Sequence, residues 1–352
     1  MTFGRLLIRA HGSPHAGAGH VMRCLALAEE WIGNGGQASF CVGPGIGPLT
    51  ARIEETGAGL IGIDAAPGSA ADAALTSRAA REANAAALVL DGYVFDESYT
   101  AALQPDAPLL MVDDDARWSR YPAQLLLNQN LFASEAMYAG RAAGTRLLLG
   151  SDYALIRREI REAGTADHAS RRDGPTRVLV TLGGADPANV TRTATEALRG
   201  LTGLDVAARV VVGPLFQGLD EIRALAADSG HLEVHVAPPD FPSLMAWADF
   251  AISAAGSTTW ELMHLGIPLL LMVLADNQRE IAASAARAGV AQVLGWHEDL
   301  DADAVGHAVA ELAADPARRA AMSAAGRRLI DGHGAGRVAQ AVRAVVAAGV
   351  AP

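Results

Sequence analysis

The residues that pack the most chemistry into the least space are Gly17-Ala18-Gly19-His20-Val21-Met22-Arg23. They follow the apolar run Leu6-Leu7-Ile8 and lead into Cys24-Leu25-Ala26-Leu27-Ala28. A strand, a glycine-bearing turn and a helix are predicted in that order. Gly17 and Gly19 let backbone N–H groups approach a ligand closely. His20 stands in the first helical turn, where the positive end of the helix dipole works against a further charge on the ring. A neutral imidazole at the mouth of a cleft suits general-base chemistry at about pH 7. A lone loop histidine is usually only solvated, so the claim on His20 rests on its setting. His11 and His15 lie nearby without helical spacing or an intervening carboxylate, so no metal cluster with His20 is expected.

Further candidates follow other apolar runs. Val178–Leu182 leads into Gly183-Gly184-Ala185-Asp186-Pro187, with a helix predicted from about Ala188. The two glycines admit a phosphate or a base. The competing reading is a tight turn with Asp186 as N-cap and Pro187 at the first helical position. Phe250–Ser253 leads into Ala254-Ala255-Gly256-Ser257-Thr258-Thr259-Trp260-Glu261. Free N–H groups there, with the hydroxyls of Ser257 and Thr258, suit a diphosphate. Glu261 can accept from a ribose diol, or close a capping box with Ser257 or Thr258. The spacing is not that of a Walker loop, and the chain has no lysine to complete one.

Asn277 and Gln278 follow Leu269–Val273 and can bond sugar hydroxyls or amides, with a helix N-cap by Asp276 or Asn277 as the plainer use. Tyr93 follows Ala86–Leu90, as either a cleft residue or a buried structural tyrosine. Asp113-Asp114-Asp115 follows Leu109–Val112. Such a run can hold a divalent metal beside a sugar diphosphate, but more often caps a turn, and no metal site is predicted.

The elements that must position these residues alternate. Apolar strand-length runs, including also Ala38–Val42, Leu125–Leu127, Val210–Val212, Leu232–Val236 and Val290–Leu294, are separated by alanine-rich helical stretches such as Val21–Ile32, Thr191–Leu198 and Thr258–Leu265. That alternation predicts parallel sheets covered on both faces. The expected architecture is α/β, two doubly wound Rossmann-like domains facing a cleft, with ligands at the carboxyl ends of the strands. The polar, aperiodic stretch 162–175 is the expected linker, between an N-terminal domain of residues 1–161 and a C-terminal domain of residues 176–352.

The 352-residue chain is 51% hydrophobic and 19% charged, enough to bury a sizeable core and too apolar for disorder. Its formal charge of −11 and the lack of a basic stripe argue against nucleic acid as a partner. Cys24 and Cys41 have no metal-type spacing and fit a reducing compartment. No signal peptide and no spanning segment are read from the sequence, so a cytoplasmic protein without a membrane partner is expected. Nothing in the sequence sets the oligomeric state.

In order along the chain, Arg9-Ala10-x-Gly12-Ser13, Gly17-x-Gly19-His20-x-x-Arg23, Asp91-x-Tyr93, Asp113-Asp114, Leu127-Asn128-Gln129-Asn130, Tyr153-Ala154-Leu155-Ile156-Arg157-Arg158-Glu159, Gly183-Gly184-x-Asp186, Ser253-x-x-Gly256-Ser257-x-x-x-Glu261 and Asn277-Gln278 resemble one family. It is the UDP-sugar hydrolase of pseudaminic (nonulosonic) acid biosynthesis, which cleaves UDP-2,4-diacetamido-2,4,6-trideoxy-β-L-altropyranose and is similar to two-domain GT-B glycosyltransferases. The resemblance implies His20 as the catalytic histidine, with Tyr93 and Asn277 near the sugar. It implies that the turn from Gly256 to Glu261 holds UDP. The family usually has aspartate where this chain has His11.

The implied reaction is metal-independent hydrolysis without a cofactor. Neutral His20 takes a proton from a water aimed at the anomeric carbon, and UDP leaves with inversion. A UDP-sugar-dependent GT-B glycosyltransferase is the first alternative, since fold does not decide function. A non-catalytic sugar-nucleotide-binding protein is the second, and a hydrolysing 2-epimerase a weaker third.

Overall fold

The structure is a computed structural model that describes residues 3–12, 18–43, 46–103, 106–164, 174–184, 186–213, 216–227 and 229–349. Its first sheet contains β1 (Arg5–Ala10), β2 (Gln37–Val42), β3 (Gly59–Gly62), β4 (Ala85–Asp91), β5 (Leu109–Val112), β6 (Leu125–Asn128) and β7 (Arg146–Leu149). The second contains β8 (Thr176–Thr181), β9 (Val206–Val212), β10 (Leu232–Val236), β11 (Phe250–Ala254), β12 (Leu269–Val273) and β13 (Ala291–Trp296). The strand pairings are parallel. Helices cover the sheets, so central strands such as Leu6-Leu7-Ile8 and Leu269–Met272 lie buried and need no polar alternation.

Strand order in the first sheet is β3-β2-β1-β4-β5-β6-β7, and in the second β10-β9-β8-β11-β12-β13. Each order reverses once, between β1 and β4 and between β8 and β11. At such a reversal the loops leaving the two strands diverge, which opens a crevice at the carboxyl edge. These are two Rossmann-like domains. Two strands, β3 and β7, escaped the sequence reading. Both are four-residue edge strands, and Gly-Leu-Ile-Gly and Arg-Leu-Leu-Leu carry too little apolar length to register.

The chain divides into one unit of Met1–Arg158 with Gly332–Pro352 and another of Glu159–Asp331. The terminal helix Gly334–Ala347 therefore leaves the expected 176–352 domain. Its apolar stripe, Ala335, Val338, Ala339, Ala341 and Val342, shares one core with Val21, Cys24, Leu25 and Ala28 of the helix Gly19–Gly33. A side chain at Gly334 would meet the carbonyl oxygen of Ala154 at 2.1 Å, so a glycine lets the backbones touch where the chain returns. Most of the expected linker, residues 165–173, lies outside the described residues.

Candidate active site

The reversal between β1 and β4 gathers charge. Helix Gly19–Gly33 follows β1, and His20 and Arg23, three residues apart, share one face of its first turns. Both are buried, at 6% and 7% exposure, although they are polar. Asp91, the last residue of β4, is fully buried between them. Its Oδ1 lies 2.7 Å from His20 Nδ1, and Arg23 donates to Oδ1 and Oδ2 at 2.7 Å each. The other edge of the Arg23 guanidinium donates to Asp114, at 2.7 and 3.0 Å. Tyr93 Oη donates to Asp114 Oδ2 at 2.9 Å, and its ring meets the His20 ring edge-to-face at 4.6 Å. Gly92 must be small here, because an added Cβ would lie 2.5 Å from His11 Cβ.

Burial alone would push the Asp91 carboxyl up, but Arg23 and His20 hold it well below the usual carboxylate range. An ionised carboxylate only accepts, so the contact to His20 Nδ1 requires an N–H at that nitrogen. The neutral ring then keeps its lone pair on Nε2, the arrangement a general base needs. Arg23 Nη2 lies 3.2 Å from the same Nδ1 because both donors converge on Asp91 Oδ1. Asp91 thus sets which ring nitrogen carries the proton, which the helix dipole did not do. His11 is 8% exposed, and burial, then His20 and Arg9, lowers its affinity for a proton.

Asp114 is occupied by Arg23, Tyr93 and Asn130, and Asp113 accepts from Tyr138 Oη and the Ala116 N–H. The aspartate run therefore caps and braces. No cluster of metal-ligating side chains occurs among the described residues. Burial pushes Asp113 up to about 6 from an ordinary value of 3.8. A group whose affinity for protons rises on folding stabilises the fold fully at low pH, and that contribution disappears as pH rises through about 6. The cost above that pH is about 2 to 3 kcal/mol. Asp113→Asn is expected to raise Tm relative to the parent by several degrees more at about pH 8 than at about pH 5. Thermal melts at the two pH values check this, and an equal difference at both would refute it.

In the second unit, the loops after β8, β11 and β12 leave neighbouring strands at one edge. Gly183 has φ of 104°, a left-handed conformation that favours glycine. Asp186 Oδ1 and Oδ2 accept from the N–H groups of Val190 and Thr191 at 3.0 and 2.7 Å. Its carboxylate therefore satisfies the first N–H groups of the helix Val190–Arg199, whose N-cap residue is Asn189 and which starts later than Ala188 because Asp186 and Asn189 both have positive φ. Helix Thr258–Leu265 begins after Ser257, whose side chain makes no capping bond, so that half of the capping box is missing. Gly256, Ser257 and Thr258 are half-buried, and Glu261 is buried in the first turn. Gln278 Oε1 accepts from the Leu274 N–H at 2.9 Å and braces its own loop, while Asn277 is exposed.

The structure thus groups Gly19, His20, Arg23 and Tyr93 in the first unit. It places Gly183, Gly184, Gly256, Ser257, Thr258, Glu261, Asn277 and Gln278 along one edge of the second. Gly17 lies outside the described residues. The sequence reading missed Asp91 and Asp114 as the partners of His20 and Arg23. Their signals were the motifs Asp91-x-Tyr93 and Asp113-Asp114 and their positions at the ends of β4 and β5.

Residues 179–334 match the glycosyltransferase family 28 C-terminal domain. The UDP-N-acetylglucosamine--N-acetylmuramyl-(pentapeptide) pyrophosphoryl-undecaprenol N-acetylglucosamine transferase of Halorhodospira halophila is 30% identical over 358 residues, covering 91% of this chain and 94% of that protein. The spore coat polysaccharide biosynthesis protein SpsG of Bacillus subtilis is 27% identical over 55% of this chain. An uncharacterized protein of Methanocaldococcus jannaschii is 24% identical over 78% of it. The chain spans 57% of the length of each of these last two. Among solved structures, the crystal structure of Acinetobacter baumannii MurG is similar with a TM-score of 0.64 at 18% identity, covering 97% of this chain and 99% of that one. Spinosyn rhamnosyltransferase SpnG complexed with thymidine diphosphate gives 0.63 at 18% identity, covering 96% and 99%. No helix among the described residues is long and apolar enough to cross a membrane.

Proposed function

The chain belongs to the glycosyltransferase family 28 group of GT-B proteins, and from that premise we propose that it transfers a glycosyl group from a nucleotide-sugar donor, with His20 as general base. The observation that carries this reading is the His20–Asp91 pair at the strand reversal of the first sheet. In the step, the acceptor hydroxyl gives its proton to His20 Nε2 and its oxygen bonds the anomeric carbon. The bond from that carbon to the diphosphate oxygen breaks, and the nucleoside diphosphate leaves. The N-terminal turn of Thr258–Leu265, where the Ser257 side chain makes no capping bond, would neutralise charge growing on a diphosphate. UDP is the nucleotide favoured by the name of the Halorhodospira relative.

Hydrolysis of a UDP-linked diacetamido-trideoxy sugar, as in pseudaminic acid biosynthesis, is the second reading. One observation favours it. The cavity lined by His20, Arg23, Asp91, Tyr93 and Asp114 measures about 20 Å³, the space of one water. The buried, raised thiols of Cys24 and Cys41 fit a cytoplasmic place of action for either reaction.

The test is UDP release from a set of UDP-sugars, in EDTA, with and without acceptor alcohols. Release that requires an acceptor supports transfer. Release of UDP and free reducing sugar in water alone replaces transfer with hydrolysis. Tight UDP-sugar binding with neither product would make the chain a binding protein.

The second unit gives a separate expectation. An added Cβ at Gly256 has nothing within 4 Å, so Gly256→Ala should keep the parent Tm. It should weaken UDP about tenfold by filling the approach to the helix N-terminus. Calorimetric titration with UDP reads this directly, and unchanged affinity would remove the turn from the proposed site.

A further inference from the structure

Arg23 is shared by two carboxylates, and only one of them touches His20. Asp91, Asp114 and Arg23 together carry one net negative charge in a buried cluster. Protonation of the ring brings that cluster to neutrality. We propose that Asp114 is a positioning residue that acts through Arg23 and Asp91 to strengthen His20 as a proton acceptor; this rests on the reading of His20 as base.

The geometry gives the route. Asp114 binds one edge of the guanidinium at 2.7 and 3.0 Å and so divides its positive charge with Asp91. Without Asp114, Arg23 would neutralise Asp91 alone, and the ring would gain less from taking a proton. Asp114 in turn is held by donors from Tyr93 and Asn130, at 2.9 and 3.2 Å. Burial works against its charge, and Arg23 and then the His20 ring work for it.

Other ionisable groups around the cluster are uncharged or engaged elsewhere: burial pushes the Cys24 thiol up, Asp113 accepts from Tyr138, and Arg117 donates to the Tyr93 carbonyl and lies over its ring. His11, beyond β1, opposes a second cation, and Arg9 on β1 is paired with Asp72 at 2.7 Å. The Cys41 thiol on β2 is pushed up to about 12 by burial and is uncharged. From the terminal helix, Arg337 donates to the Asp152 carbonyl and Arg343 lies over the Phe3 ring.

The test is an NMR titration of the His20 ring in the parent, Asp114→Asn and Asp114→Glu, alongside the pH profile of kcat/KM. Asp114→Asn should lower the ring's titration midpoint by about one unit and shift the acid limb of kcat/KM equally. Asp114→Glu should restore most of both shifts, which a merely structural role would not. Should the Asn variant not fold, Asp114→Ser removes the same charge and reads the same quantity. A midpoint that stays put in a folded, uncharged variant overturns the proposal. A midpoint that moves while the acid limb does not would uphold the coupling and instead remove His20 as the base.

Discussion

His20→Ala is expected to lower kcat by about 10² to 10⁴-fold, the usual range for losing a general base, while UDP affinity stays within about twofold. The two halves of that statement have separate causes. The ring holds the proton acceptor, and its deletion leaves Asp91 still paired with Arg23 and with the Cys24 thiol, so the local fold keeps its charge balance. The glycine-bearing loops proposed for the diphosphate belong to the other unit and keep their own bonds. Steady-state rates with UDP titration separate the effects. A variant retaining parental kcat would end the assignment of His20, under transfer and under hydrolysis alike.

Asp91→Asn should slow the reaction by about 10²-fold or more although it changes one atom. Asn offers one acceptor and one donor where Asp91 offers two acceptors. Arg23 donates to both positions, at 2.7 Å each, so one of its bonds meets an N–H whichever way the amide turns. If the amide nitrogen faces His20, the ring proton moves to Nε2 and the lone pair needed for catalysis is gone. If it faces Arg23, the guanidinium keeps only Asp114 as a full partner. Losing one partner of a buried pair also costs stability, about 3 kcal/mol. The double variant with His20→Ala should be no slower than His20→Ala alone, because both substitutions disable one unit. Losses that multiply would mean that Asp91 acts on the reaction by some route other than the ring.

Sequence alone determined the local chemistry of the chain. Apolar runs of strand length located eleven of the thirteen strands among the described residues, several to the residue, as at Leu109–Val112 and Leu269–Val273. A strand buried on both faces must be continuously apolar, and that is legible in one dimension. The same rule hid β3 and β7, whose edge positions require little apolar length. His20, Arg23 and Tyr93 were legible as candidates through their motifs and their places after strands, with Arg23 read as a substrate-binding residue.

Only the tertiary structure decided what those residues do to one another. Asp91 and Arg23 are 68 positions apart in sequence, and Arg23 and Asp114 are 91 apart. The strand order β1-β4-β5 closes both separations, and no local pattern encodes strand order. The same holds for the helix Gly334–Ala347, whose amphipathic stripe announces that it must pack but not against which unit. A hydrophobic stripe sets how much surface must be buried, and an ionisable side chain sets what charge is available. Which partner meets either one depends on contacts between distant parts of the chain.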